Sequence, residues 1–218
     1  MLVVAPHPDD EILGCGGVLL RRKAEGHLLG WLILTGIAES AGASADRVHA
    51  RDAEIARVAE MVGFDWVENL RLPTATLDDI PTADIVAQVS RAFQDFQPNE
   101  VFLPHHGDAH SDHHVAFDGV AACTKWFRYP SVQRGLAYET LSETDFGLIP
   151  GVGFTPTIFV DISAHLPRKL EIMNVYASEM GTAPFLRSVE ALRALATLRG
   201  EASGYAVAEA FQLLRERL

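Results

Sequence analysis

Two short stretches hold most of the groups able to do chemistry. The first is Ala5-Pro6-His7-Pro8-Asp9-Asp10-Glu11, one imidazole and three carboxylates on consecutive or nearly consecutive positions. Carboxylates gathered in this way repel one another, and burying them is costly unless a cation or hydrogen-bond donors offset the loss of water. A divalent metal ion is the simplest reason to collect them. The second stretch is His105-His106-Gly107-Asp108-Ala109-His110-Ser111-Asp112-His113-His114, which carries five of the chain's nine histidines. His110 and His113 are three apart, so one helical turn presents both to the same side.

Joined, the two stretches suggest His7, Asp10 and His113 around one ion. Three protein ligands with positions left for water is the pattern of a catalytic zinc site. Two imidazoles and one carboxylate also suit non-haem Fe2+, so Zn2+ is the first expectation and Fe2+ the alternative. An ion of this kind lowers the pKa of bound water toward about 7 and polarises a carbonyl. Asp9, adjacent to a ligand, is the candidate to take the water's proton. His110 is the candidate to hold an oxyanion or protonate a leaving group. Asp112 and Glu11 are candidates to orient an imidazole from behind, Glu11 alternatively capping a helix start. His105, His106 and His114 are expected to include spectators.

These residues need elements to hold them. Residues 2–5 read as a short apolar strand, followed by a helix over 14–25. Leu28 to Thr35 is a continuous apolar run, as expected of a strand covered on both faces. A helix over 48–62, a strand over 64–70, a helix over 82–96 and a strand over 100–103 follow. Ser111 is placed as the N-cap of a helix running to about 127. Strands are expected at 135–139 and 157–161, and helices at 166–178, 185–198 and 206–217. The alternation predicts an α/β fold, a mainly parallel sheet with helices on both faces. Ligands in such sheets bind beyond the carboxyl ends of the strands, where the turn carrying His7 and the loop carrying His110 and His113 would meet. Residues 147–156, rich in Gly and Pro, are the candidate for a mobile loop over the site. Gly14, Gly16 and Gly17 lack dinucleotide-fingerprint spacing, and close packing of the first helix is the expected reason for them.

With 218 residues, 48% of them apolar and 22% charged, the chain suits one domain, 1–218, with a substantial core. Its formal net charge of −11 argues against a nucleic-acid or anionic-membrane surface. No apolar run reaches the roughly 18 residues of a membrane span. The N-terminus enters a strand without a basic region or cleavage site, so a cytoplasmic location is expected. Cys15 and Cys123 are read as reduced core thiols. A small-molecule substrate is expected, and a homo-oligomer is compatible with the sequence.

At this point the residues resemble a known family. Ala5–Glu11 resembles the signature of the LmbE-like (PIG-L) metal-dependent N-acetylsugar deacetylases, and His110-Ser111-Asp112-His113 is similar to that family's second motif. Arg51 and Glu54 fit its Arg-x-x-Glu, and Ala208-Glu209-Ala210-Phe211 fits its usual C-terminal helix. The resemblance spans most of the chain. It implies a Rossmann-like fold, zinc on His7, Asp10 and His113, a general base at Asp9, and His110 assisting the oxyanion and the leaving amine. It also implies that Arg51 lies close to the substrate's polar groups. The implied reaction is removal of an N-acetyl group from an amino sugar or sugar conjugate. Thr74 stands where the family often has an acidic residue, and the 136–146 stretch resembles members from surface-polysaccharide pathways. The same scaffold also hosts a metal-dependent hydratase of unsaturated dicarboxylic acids, for which Arg51, Arg71 and Arg128 would be available as anchors.

Overall fold

The computed structural model describes residues 1–38, 42–148 and 150–218. The chain builds β1 (Leu2–Ala5), α1 (Asp10–Ala24), β2 (Gly30–Gly36), α2 (Ala45–Val62), β3 (Trp66–Pro73), α3 (Thr82–Phe96), β4 (Glu100–Pro104), α4 (Ser111–Ala122), β5 (Arg134–Tyr138), β6 (Ile158–Asp161), α5 (Leu166–Met173), α6 (Val189–Glu201) and β7 (Ala208–Glu216). The seven strands form one sheet in the order β3-β2-β1-β4-β5-β7-β6. All neighbouring pairs from β3 to β5 are parallel, and β7 runs antiparallel to both β5 and β6.

Period-two alternation along the strands feeds two cores. Val3, Ala5, Trp31 and Ile33 face α1, α2, α5 and α6. Leu2, Val4, Leu32 and Leu34 face α3 and α4, against Ile85, Val89, Phe93 and Val120. Both faces of β1 and β2 are therefore dry, which is why these strands read as unbroken apolar runs. From β1 the chain steps outward to β2 and β3, then returns to β4 and steps the other way to β5. That reversal opens a crevice between β1 and β4 at their carboxyl ends.

Helix α1 packs closely on the sheet. A Cβ on Gly14 would overlap the Tyr138 ring, and one on Gly17 would come within 2.6 Å of Ile162. Close packing thus accounts for these glycines. The buried Tyr138 hydroxyl donates to Val4 O at 2.9 Å, and Glu139 pairs with Arg199, so neither turns into the crevice. Cys15 and Cys123 are both free and buried. No helix among the described residues is long and apolar enough to cross a membrane.

Several expected elements need correction. The helix expected over 206–217 is the strand β7. Its Ala208–Phe211 segment is buried on both faces, which hides the strand period, and tertiary pairing with β5 and β6 overrides its helix-favouring Ala, Glu and Leu. The helix expected over 166–178 ends at Met173 and continues as tight turns through Glu179. That expected over 185–198 begins later, at Val189, capped by Ser188 whose side chain accepts from Ala191 N. Helix α4 ends at Ala122, well short of 127, and its N-cap is His110 rather than Ser111. The 147–156 segment, of which residue 149 lies outside the described residues, rests on the histidine-rich loop: Val152 O lies 3.2 Å from His105 Nε2.

Candidate metal and acyl-transfer site

Strand β1 ends at Ala5 and the chain turns sharply into α1. The turn sets Asp10 and Glu11 in the first turn of the helix, where its positive end favours carboxylates. Asp9, just before it, has φ 142°, well outside the left-handed well that Asp tolerates. Backbone held in this way costs about 1–3 kcal/mol and persists only where the surroundings over-determine it. Strand β4 ends at Pro104, the 105–110 loop turns back, and α4 points its first turn into the same crevice.

Three groups converge there. His7 Nδ1 and His113 Nε2 each lie 3.3 Å from Asp10 Oδ2, and the ligand atoms of His7, Asp10 and His113 lie within 4.8 Å of one another. Asp10 and His113 are fully buried. Among the described residues, His113 Nε2 and Asp10 Oδ1 have no hydrogen-bond partner despite that burial. Buried polar atoms are almost always paired, so these orphaned atoms fit an ion that would complete them. The opposite ring nitrogens are held from behind. Asp112 Oδ2 lies 3.0 Å from His7 Nε2, and Asp108 Oδ2 lies 2.7 Å from His113 Nδ1. Each imidazole is thus turned so that its other nitrogen faces Asp10, the arrangement carboxylates give to metal-ligating histidines. Asp112 is itself fixed by the backbone N–H groups of Ala75 and Leu77.

The charges follow. Burial opposes the charged form of His7, yet its bonds to Asp10 and Asp112 push it up to about 9. Burial likewise opposes His113, and Asp10 with Asp108 pushes it up to about 10. Burial works against the Asp10 carboxylate, but the two imidazoles hold it well below the usual range. Asp9 is pushed up to about 7 by burial and by the neighbouring Asp10 charge, with Arg187 pulling the other way. One Asp9 oxygen takes a 2.7 Å bond from Arg187 Nη1, and the other is buried without a partner among the described residues.

His110 sits beside this cluster, its ring centroid 4.6 Å from that of His7. Its Nδ1 accepts from Asp112 N at 3.1 Å, so the ring caps α4 with its own lone pair. Burial and the His7 charge lower its pKa. A neutral ring whose Nδ1 accepts carries its proton on Nε2. Glu11 does not touch an imidazole: it accepts from Asp9 N at 3.0 Å and from the Tyr176 hydroxyl at 2.9 Å. Arg51 pairs with Glu54 and Glu179 and donates to Pro8 O. His105, His106 and His114 bond away from the cluster, to Val152 O, Asp118 and Asp108 O.

Of the cluster, His7 opens onto a cavity of about 250 Å³, lined also by Asp9, Arg47, Arg51, Thr74, His110, Glu143, Glu179 and Arg187, among others, while Asp10 and His113 lie buried behind it. Arg187, Glu143, Glu179 and Asp108 were not expected from the sequence. Arg187 binds Asp9, Ser142 and Glu143 at once, yet its spacing carries no signal. Asp108 was legible only as one more polar residue in a histidine-rich loop. Arg71 pairs with Asp52 and does not line the cavity, and Arg128 lies beyond the C-terminus of α4, in a separate cleft with Phe93, Gln97 and Tyr129. A second cleft, about 290 Å³ around Trp126 and Arg215, has neither an imidazole nor a buried carboxylate in its lining.

A Rossmann-like α/β chain with two histidines and an aspartate at the strand switch point defines the class. The chain belongs to the PIG-L family, GlcNAc-PI de-N-acetylase, which its residues 2–124 match. It is 25% identical over 226 residues to the diacetylchitobiose deacetylase of Thermococcus kodakarensis, covering 98% of this chain and 82% of that one. The conserved protein TT1542 of Thermus thermophilus superposes with a TM-score of 0.77 at 31% identity, over 100% of this chain and 95% of that one. GalB, the 4-carboxy-2-hydroxymuconate hydratase of Pseudomonas putida KT2440, shares the fold at a TM-score of 0.74 and 19% identity, over 100% and 96% of the two chains.

Proposed function

We propose that this chain is a metal-dependent hydrolase that removes an N-acetyl group from an amino sugar or sugar conjugate, with residues 1–218 acting as one domain. His7, Asp10 and His113 would hold the ion, Zn2+ first and Fe2+ as the alternative. The observation that carries the reading is their convergence just behind the cavity wall that His7 and Asp9 line, with buried unpaired ligand atoms next to the buried Asp9 carboxylate. Membership of the PIG-L family and the likeness to a diacetylchitobiose deacetylase support it.

When bound, the ion acidifies water and polarises the acyl oxygen. Asp9 accepts the water's proton on its unpaired oxygen while Arg187 keeps the carboxylate from rotating. In the metal-free protein burial and the Asp10 charge raise the proton affinity of Asp9 above that of an exposed carboxylate, which suits a group that must take a proton and then hand it on. His110 donates its Nε2–H to the oxygen that gains charge as the tetrahedral centre forms. The C–N bond breaks, Asp9 returns its proton to the departing nitrogen, and the acid's remaining proton passes to the amine, so that acetate and the ammonium product leave. Arg51 and Thr74 at the cavity rim contact the sugar's polar groups.

The test is acetate release from a panel of N-acetylhexosamine derivatives, free and nucleotide-linked. Asp9→Asn should keep its metal and lose about 100-fold or more in kcat, and full activity in that variant overturns the assignment. A hydratase of an unsaturated dicarboxylate is the second reading, favoured by the arginines at the rim. Arg51 and Arg187 are, however, already matched by Glu179, Asp9 and Glu143. Loss of ultraviolet absorbance without acetate would select it.

A further inference from the structure

The peptide joining Pro8 to Asp9 is gripped on both sides by side chains. Its carbonyl accepts from Arg51 Nη1 at 3.2 Å, and its N–H donates to Glu11 Oε2 at 3.0 Å. Both grips meet on one residue far along the chain. The Tyr176 hydroxyl donates to the other Glu11 oxygen at 2.9 Å, and the Arg51 guanidinium carbon lies 5.6 Å from the centre of the Tyr176 ring. Glu11 and Tyr176 are fully buried. Tyr176 arrives from the turns after α5, and nothing in the reaction outlined above uses it.

We propose that Tyr176 is a positioning residue: by holding Glu11 and backing Arg51 it locks the Pro8–Asp9 peptide, and so aims the Asp9 carboxylate into the cavity. This rests on reading Asp9 as the base. A φ of 142° on a non-glycine residue relaxes unless it is held. The two grips fix the peptide plane, and only that plane sends the Asp9 side chain to Arg187 and the ligand cluster. Without the phenol, one Glu11 oxygen is left buried and unpaired. The carboxylate then turns to find a donor, and Asp9 N loses its partner. A reacting group displaced by about 1 Å costs on the order of 100-fold in rate.

Tyr176→Phe keeps the ring and the Arg51 contact and removes only the hydroxyl. With an N-acetylated substrate that the parent turns over, kcat for this variant should fall about 10- to 100-fold, with KM and zinc content per chain unchanged, measured well below the melting temperature. Glu11→Gln can still accept from Asp9 N and donate to the phenol oxygen, so it should stay within about threefold of the parent, whereas Glu11→Ala should fall at least as far as Tyr176→Phe. The double variant Tyr176→Phe/Glu11→Ala should be no slower than Glu11→Ala alone, because the tyrosine acts through the glutamate. A core tyrosine with no positioning role would lower the melting temperature and leave kcat untouched, and kcat within twofold of the parent in Tyr176→Phe, alongside an inactive Asp9→Asn, overturns the proposal. If Asp9→Asn retains activity, the functional reading is what fails. A crystal structure of Tyr176→Phe then decides: relaxation of the Asp9 φ to negative values supports the lock, and its retention near 142° overturns it.

Discussion

Removing one carboxylate behind His113 separates charge from geometry at the proposed metal centre. Asp108 Oδ2 lies 2.7 Å from His113 Nδ1, while its other oxygen accepts from the Thr144 hydroxyl at 2.6 Å, and Asp108 and His113 are buried. In Asp108→Asn the amide oxygen can still accept from His113 Nδ1–H and the NH2 can turn to Thr144. Tautomer and ring orientation survive, and only the charge that makes the imidazole more basic is lost. Asp108→Ala removes the acceptor as well and leaves a buried N–H unpaired. Losing such a carboxylate costs about 10- to 100-fold in metal affinity, or about 1.4–2.7 kcal/mol. The Asn variant belongs near the lower figure, since its hydrogen bond remains, and the Ala variant near or beyond the upper one. Zinc affinity measured by competition with a chromophoric chelator gives these numbers directly, without a substrate. Both variants binding zinc within twofold of the parent would refute the assignment of His113 Nε2 as a ligand steered from Nδ1.

Four further outcomes follow from the packing and the charges. In the metal-free protein His7 and His113 stand at about 9 and about 10, above the roughly 6.5 of an unfolded histidine, so their contribution to stability is complete below about pH 6.5 and is lost as pH rises through 9 to 10. Urea midpoints of the metal-free protein should therefore fall across that window, and zinc binding at pH 7 should release protons, seen calorimetrically as a dependence on buffer ionisation enthalpy. Gly14→Ala drives a methyl into the Tyr138 ring and toward Glu139 O, which should cost about 2 kcal/mol, or roughly 4–8 °C in Tm by calorimetry for a chain of this size. Lys169→Met breaks a 2.7 Å ion pair with Glu209, both side chains at most 6% exposed, and should destabilise by about 3 kcal/mol or more in urea titration.

The central part of the sheet and the residues of the proposed ligand triad were legible for the same reason. Strands β1, β2 and β4 are buried on both faces, so each is an apolar run that ends abruptly, and the polar residues just past Ala5 and Pro104 stand out against it. Topology then brings the two ends together at the reversal between β1 and β4. The supporting residues have no such contrast. Asp108 hides among histidines, and its use depends on the loop folding back onto α4. Arg187, Glu179 and Tyr176 come from the 174–188 connection, where turns replace the helix that the apolar spacing suggested. Position there is set by contacts more than a hundred residues away along the chain, to Asp9, Arg51 and Glu11.

The misread C-terminal segment shows what this costs. Glu209 is a helix-favouring residue in an apolar stretch, and read locally it belongs to a helix. In the fold it lies on β7, buried against α1, where it accepts from the backbone N–H groups of Gly17 and Val18 at 2.7 Å each and pairs with Lys169. Lys169 in turn donates to Leu13 O at 2.8 Å. A charged pair therefore supplies partners to α1 backbone groups at the level of its glycines, where the helix lies closest to the sheet. Helix α1 is the element that begins with Asp10 and Glu11, so the glutamate that helped β7 read as a helix also anchors, with Lys169, the helix whose first turn carries a proposed metal ligand and the side chain holding Asp9.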